Sequence, residues 1–209
     1  MVNAINPKNL EIERSLGEGQ FGRVELARMK RIGGKPMMVA YKTLKTDVDR
    51  AQLNNNPGSL AEYEKFILEF NQEISVMQYL SCKQDGEETG CFSLIGAVVD
   101  KGLAMVIQFC NGGSVESAYK SRELSQMQVV KMIQDMSKAC LFLAGRKIAH
   151  SDIACRNVLI DKSNGSTRYL LGDFGMAIVC VVIYFIMYKN ILTIRISYIK
   201  FKPVGQNLF

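Results

Sequence analysis

The sequence has no CxxC pair, one histidine, no apolar segment near its start and no uninterrupted apolar run of bilayer length. Each absence removes a class of function. The six cysteines (Cys82, Cys91, Cys110, Cys140, Cys155, Cys180) are scattered, without zinc-ligand spacing, and read as reduced thiols of a cytoplasmic chain. The first twenty residues contain no h-region, so no cleaved signal peptide is expected. The lone His150 reads as structural rather than catalytic. The formal charge of +6 is concentrated: residues 178–209 hold Lys189, Arg195, Lys200 and Lys202 and no acid, leaving the remainder near +2 (+6 minus 4). With no Lys/Arg stripe interleaved with aromatics, nucleic acid is not an expected partner.

What is present fits one substantial domain or two small lobes, at 209 residues and 48% hydrophobic. Leu10 to Ala27 predicts two strands around a glycine-rich turn, and Met37 to Leu44 a third. After the loop Asn54-Asn55-Asn56-Pro57-Gly58, Ser59 and Glu62 form a capping box that predicts a helix start. Phe66, Phe70, Ile74 and Met77 keep helical spacing to about Leu80. A polar loop, Lys83 to Gly90, then leads to a hairpin pairing Phe92–Val99 with Leu103–Phe109 through Asp100-Lys101-Gly102. Beyond Asn111-Gly112-Gly113 the pattern turns helical. Val129, Ile133, Met136, Cys140 and Leu143 predict a buried stripe on a helix from Ser125 to Ala144. Two lobes joined near Cys110–Gly113 fit this order.

The chemistry-bearing residues fall in sequence order. Gly17-Glu18-Gly19-Gln20-Phe21-Gly22-Arg23-Val24 is a GxGxxGxV, in which glycines let backbone fold closely over phosphates. A plain turn or a dinucleotide fingerprint gives the same string. The fingerprint, however, needs a helix next, and Arg23–Ala27 reads as strand. Lys42 ends the apolar strand Val39-Ala40-Tyr41-Lys42. Later come His150-Ser151-Asp152-Ile153-Ala154-Cys155-Arg156-Asn157 and Asp173-Phe174-Gly175. An acid, a carboxamide five residues on and a second acid beside a glycine suit phosphoryl transfer.

Together these segments resemble the protein kinases from about Leu10 to Ala177. The resemblance implies an α+β, two-lobed protein-kinase-like fold. Its β-rich N-lobe (10–110) carries one long helix, and an incomplete helical C-lobe (114–177) follows. It implies ATP and Mg²⁺ as ligands. Lys42 would pair with the phosphates and with Glu73, which stands in Glu73-x-x-x-Met77-x-x-Leu80, with Glu69 the alternative one turn earlier. Asp152 would accept the substrate hydroxyl's proton, and Asn157 and Asp173 would hold metal. His150 would pack on Phe174. Leu16, Val24, Ala40 and Leu159 would sandwich adenine beside the glycines 17, 19 and 22. Ile107 would be the gatekeeper, and Phe109 and Cys110 the hinge. Arg156 within Ala154-Cys155-Arg156-Asn157 resembles the tyrosine kinases, which implies a protein substrate with an acceptor tyrosine.

Two features depart from that pattern. Ser151 stands where the family usually has arginine, so control through a phosphorylated activation loop is expected to be missing. After Ala177 the pattern ends and a hydrophobic, basic tail (178–209) begins. Only 34 residues follow Gly175, so the kinase region is expected to be incomplete and this chain weakly active or inactive. The apolar run 177–188 is short of the roughly 18–20 residues that span a bilayer. Three readings of the tail compete: membrane contact through 177–197, a buried strand or core element of a rearranged lobe, and sequence never selected to fold, such as an alternative splice end or mistaken gene model, which is the favoured one. A non-catalytic kinase-like interaction module and a membrane-tethered fragment remain the alternatives to an enzyme.

Overall fold

Five antiparallel strands, β1 (Leu10–Glu18), β2 (Gly22–Met29), β3 (Met37–Leu44), β4 (Leu94–Val98) and β5 (Ala104–Gln108), form one sheet in the order β1-β2-β3-β5-β4. The computed structural model describes residues 3–18, 22–31, 33–44, 57–81, 89–98, 104–163, 165–181 and 197–199. The predicted loop and turn segments 54–56, 83–88 and 100–102 lie outside them.

Strand register divides the sheet's labour. Successive side chains alternate in direction. The pairings Val24↔Lys42, Leu26↔Ala40, Lys42↔Met105 and Ala40↔Ile107 therefore place all these residues on one face. The other face carries Ala27, Val39, Val98, Ala104 and Val106, a small separate core covered by Ile5 and Leu10. The segment before β1 is fastened there: Ile5 N–H donates to the Ala97 carbonyl at 2.8 Å and Ala97 N–H to that of Asn3 at 2.9 Å.

The long helix α1 (Pro57–Ser81) buries Phe70, Ile74, Met77 and Leu80, the predicted spacing, against the first face. Its start differs from the prediction. The helix begins at Pro57, so Ser59 lies inside it rather than at its cap. Proline's fixed φ and missing N–H suit a first helical position.

Beyond β5, Ser114 caps α2 (Val115–Lys120) and Ser125 caps α3 (Gln126–Gly145), the latter in a reciprocal capping box with Gln128. The predicted stripe on α3 is corrected. Val129, Ile133 and Cys140 are exposed, whereas Asp135, Ala139, Phe142 and Leu143 are buried. The buried side is fixed by contacts that apolar periodicity does not register. Asp135 accepts a bond from Tyr169 N–H at 3.1 Å, and a Cβ on Gly90 would come within 2.8 Å of Ala139 N.

Then follow β6 (Ile148–Ala149), a 3₁₀ turn at Cys155–Asn157, the hairpin β7 (Val158–Asp161) and β8 (Arg168–Leu171), β9 (Ile178–Val181) and β10 (Ser197–Ile199). Strand β9 uses the first residues of the segment set apart as tail and pairs with both β6 and β10. Residues 182–196 and 200–209, with most of the apolar run, lie outside the described residues. Among the described residues no helix is long and apolar enough to cross a membrane.

One core joins the two lobes, running from Phe70 and Met77 through Ile107, Leu171 and Phe174 to Phe142 and Leu143. Backbone bonds stitch the junction: Gly112 N–H to Ile160 O and Ile160 N–H to Gly113 O at 2.8 Å each, and Phe92 N–H to Leu171 O at 3.1 Å.

Candidate active site

A cleft of about 460 Å³ opens between the sheet's first face and the loop–hairpin segment below it. Its roof comes from the sheet register: Leu16 and Gly17 on β1, Val24 on β2, Ala40 and Lys42 on β3, and Ile107 on β5. Phe109 and Cys110 form the back edge and Leu159 lies on the floor. Glu73, Arg156, Asn157 and Asp173 also line it. The cleft thus gathers residues more than 100 positions apart in sequence.

Lys42 Nζ and Glu73 Oε2 lie 2.6 Å apart, a cross-element ion pair that connects β3 to α1. Glu69, the alternative, is paired with Lys65 at 3.7 Å instead. Burial opposes the charge on Lys42. The carboxylate of Glu73 outweighs it, with Asp173 and Glu69 adding, and holds the ammonium above its ordinary range. Burial, helped by Asp173, drives the Glu73 carboxyl upward against Lys42. The second oxygen, Glu73 Oε1, is buried with no hydrogen-bond partner.

Asp152 sits at the rim rather than in the lining. Arg156 Nη2 donates to its two oxygens at 2.6 and 2.8 Å. Asn157 Nδ2 donates to the Asp152 carbonyl and to Oδ2, both at 2.9 Å. The bonds from Arg156 first, then Asn157, hold the Asp152 carboxyl below the usual carboxylate range. With its nitrogen committed to Asp152, Asn157 keeps its amide oxygen for a cation.

His150 supports this loop from beneath. Its Nδ1 accepts from Asp152 N–H at 3.3 Å, so Nε2 carries the proton to the Gly172 carbonyl at 2.9 Å. The ring packs on Phe174 with centroids 4.9 Å apart. Gly172 N–H returns to the Asn157 carbonyl at 2.8 Å, and this joins the two chemistry-bearing segments. Ser151 and Asp173 both adopt left-handed backbone, φ 67° and 62°. Few side chains take that conformation without surrounding support.

Besides Asp152, one described predicted residue stands apart from the lining. Gly22 packs against α1, where an added Cβ would meet Phe66 at 2.9 Å. Gly19 lies outside the described residues. The cleft also uses Phe92, Gln108, Gly113, Ser114, Ser117 and Gly172, which motif reading missed. Ser114 was within reach, as a serine after two glycines that caps a helix. Gln72 donates to the Ala177 carbonyl and fixes α1 to the chain after Gly175; no local signal marks it.

The lining fits a nucleotide with a divalent ion. Apolar side chains above and below suit a flat base, while Lys42 faces the carboxylate of Asp173 and the amide of Asn157. Mg²⁺ is ordinarily held by one or two such oxygens together with substrate phosphates. Among the described residues no group of three His, Cys, Asp or Glu forms a metal cage by itself.

A sequence profile described as protein tyrosine and serine/threonine kinase matches residues 10–184. The chain belongs to this kinase family. The match runs seven residues past Ala177 and takes in β9. Among curated proteins the chain is 30% identical over 183 residues to spermatocyte protein spe-8 of Caenorhabditis elegans, covering 86% of this chain and 31% of that protein. It is 28% identical over 171 residues to ephrin type-B receptor 5 of Gallus gallus (80% and 15%). It is likewise 28% identical over 183 residues to protein sevenless of Drosophila melanogaster (85% and 7%). The chain therefore spans less than a third of the length of these relatives.

Proposed function

We propose that the cleft binds Mg·ATP and serves transfer of the γ-phosphoryl group to a tyrosine hydroxyl of a protein substrate. The convergence of Lys42, Glu73, Asn157 and Asp173 on one cleft, with Asp152 at its mouth, carries this reading. Bound Mg·ATP supplies the transferable phosphoryl group and the countercharge for it. Lys42 offers a fixed positive charge to the phosphates, and Glu73 keeps its side chain in place. Asp152, ionised because Arg156 and Asn157 donate to it, orients the attacking hydroxyl and accepts its proton. Positioning matters more here than basicity, since phosphoryl transfer depends chiefly on alignment and charge neutralisation. Asn157 and Asp173 supply hard oxygen donors for metal. Leu16, Val24, Ala40 and Leu159 hold the base, Ile107 guards the rear of its pocket, and the Phe109–Cys110 backbone reads its edge.

The tyrosine preference rests on Arg156, four residues past Asp152, together with Ala154 where serine/threonine kinases usually carry lysine. Ser151 leaves no arginine at that position to recruit a phosphorylated loop. A cytoplasmic location accompanies this reading, since it supplies ATP and keeps Cys91, Cys110, Cys140 and Cys155 as the free thiols they are.

Incorporation of labelled γ-phosphate into a tyrosine-containing polymer is the test. The expected result is slow incorporation that falls at least about 100-fold in Asp152→Asn, within the range for removing a positioned acid–base group. Incorporation that persists undiminished in Asp152→Asn, or that goes to serine rather than tyrosine, would overturn the assignment.

A further inference from the structure

Asp173 holds a left-handed backbone conformation, φ 62°, which persists only where neighbouring structure over-determines it. On its N-terminal side the hold comes from His150, whose Nε2 donates to the Gly172 carbonyl at 2.9 Å. On its C-terminal side the chain turns tightly, and Ala177 N–H donates to the Phe174 carbonyl at 3.0 Å. It then enters β9, where Ile178 pairs with Ala149. Gln72 reaches this turn from α1, its side-chain amide donating to the Ala177 carbonyl. Glu69, one turn earlier on the helix, lies against Gly175, where an added Cβ would come 3.4 Å from Glu69 Cβ. The turn that carries Asp173 is therefore held from both ends, by the Asp152 loop and by α1.

Gln72 and Glu73 are consecutive and hold different elements. Glu73 takes Lys42 of β3 at 2.6 Å, and Gln72 takes the chain after Asp173. Successive side chains on a helix diverge by about 100°, so two neighbours can reach the two walls of the cleft from one rigid element. We propose that Gln72 is a positioning residue for Asp173, and that α1 couples Asp173 to the Lys42–Glu73 pair through these adjacent side chains. Gln72 acts through the backbone of residues 173–177 and is not part of the cleft lining. The inference deepens the Mg·ATP reading and rests on it for the role of Asp173. It also supplies a constitutive hold on the turn, where Ser151 leaves no arginine to recruit a phosphorylated loop.

Native-state amide hydrogen exchange on the ligand-free chain tests this hold without nucleotide. Gln72→Met keeps the length of the side chain and removes its donor, whereas Gln72→Lys keeps a donor. In Gln72→Met, protection over residues 172–178 should fall about tenfold, the scale of one hydrogen bond, with protection in α3 unchanged. Gln72→Lys should keep the parent's protection. Thermal shift gives a second readout. The Mg²⁺ concentration for half of the ATP-dependent rise should increase about tenfold in Gln72→Met, as for loss of a group that orients a ligating side chain. The response to ATP in EDTA should equal the parent's.

Unchanged protection over residues 172–178 in Gln72→Met would overturn the proposal. So would failure of that variant to fold, or a loss spread evenly over α1, α3 and the sheet, since either makes Gln72 a general stability residue. A selective loss that Gln72→Lys reproduces would refute donation as the cause. A parent chain without any ATP response, beside a selective loss in Gln72→Met, would refute the Mg·ATP reading while upholding the hold of Gln72 on the Asp173 turn.

Discussion

His150 is neutral where it sits. Burial lowers its pKa, against the opposing pull of the Gly172 carbonyl, Asp173 and Asp152. In an unfolded chain the imidazole titrates near about 6.5. Between that value and the lower folded one, the unfolded chain binds more protons, so stability falls as pH falls through this window. As the chain's one histidine, it makes the effect assignable. The urea midpoint should drop between pH 7 and pH 5.5, with a slope of at most about 1.4 kcal/mol per pH unit. His150→Gln should flatten that slope, and an unchanged slope would contradict the account. Gly172, the partner of His150, is constrained differently. A Cβ there would lie 1.5 Å from a Phe92 ring carbon. Gly172→Ala should therefore destabilise by about 1–3 kcal/mol through overpacking. A thermal midpoint equal to that of the parent would refute this.

At the scale of elements, α3 and β8 depend on Asp135. Its carboxylate accepts from Lys131 on its own helix and from Tyr169 N–H on the strand. Asp135→Ala strands a buried backbone donor and should cost about 1–3 kcal/mol. For a chain this long, that lowers the thermal midpoint by about 2–4 °C per kcal/mol. Loss of less than a degree would show the bond to be dispensable. The same helix explains which elements were legible in the sequence. Strand β3 and the helix start at Ser125 follow from local chemistry, the apolar run 37–41 in one case and a serine suited to capping in the other. The inward face of α3 does not. It is chosen by an acid that must meet a backbone N–H and by Ala139, which must be small where Gly90 approaches. Its outward face still carries Val130, Ile133 and Leu141. The start of α1 was misplaced for a related reason: a serine–glutamate pair mimicked a cap inside a helix that proline had already begun.

At the scale of the whole molecule, the lysine, asparagine and two aspartates were legible because each lies in a short motif with fixed spacing. The polar residues that complete the cleft, Ser114, Ser117 and Gln108, enter only through the packing of the lobes, which no motif encodes. Whether the cleft binds nucleotide is decided most directly by thermal shift with Mg·ATP on the parent chain and on Lys42→Met. Binding is expected to be weak. At nucleotide about ten times the dissociation constant the gain is about 1.4 kcal/mol, a rise of about 3–6 °C. The account predicts a saturable rise of that size in the parent and none in Lys42→Met. No rise in the parent, or an equal rise in both proteins, would contradict it.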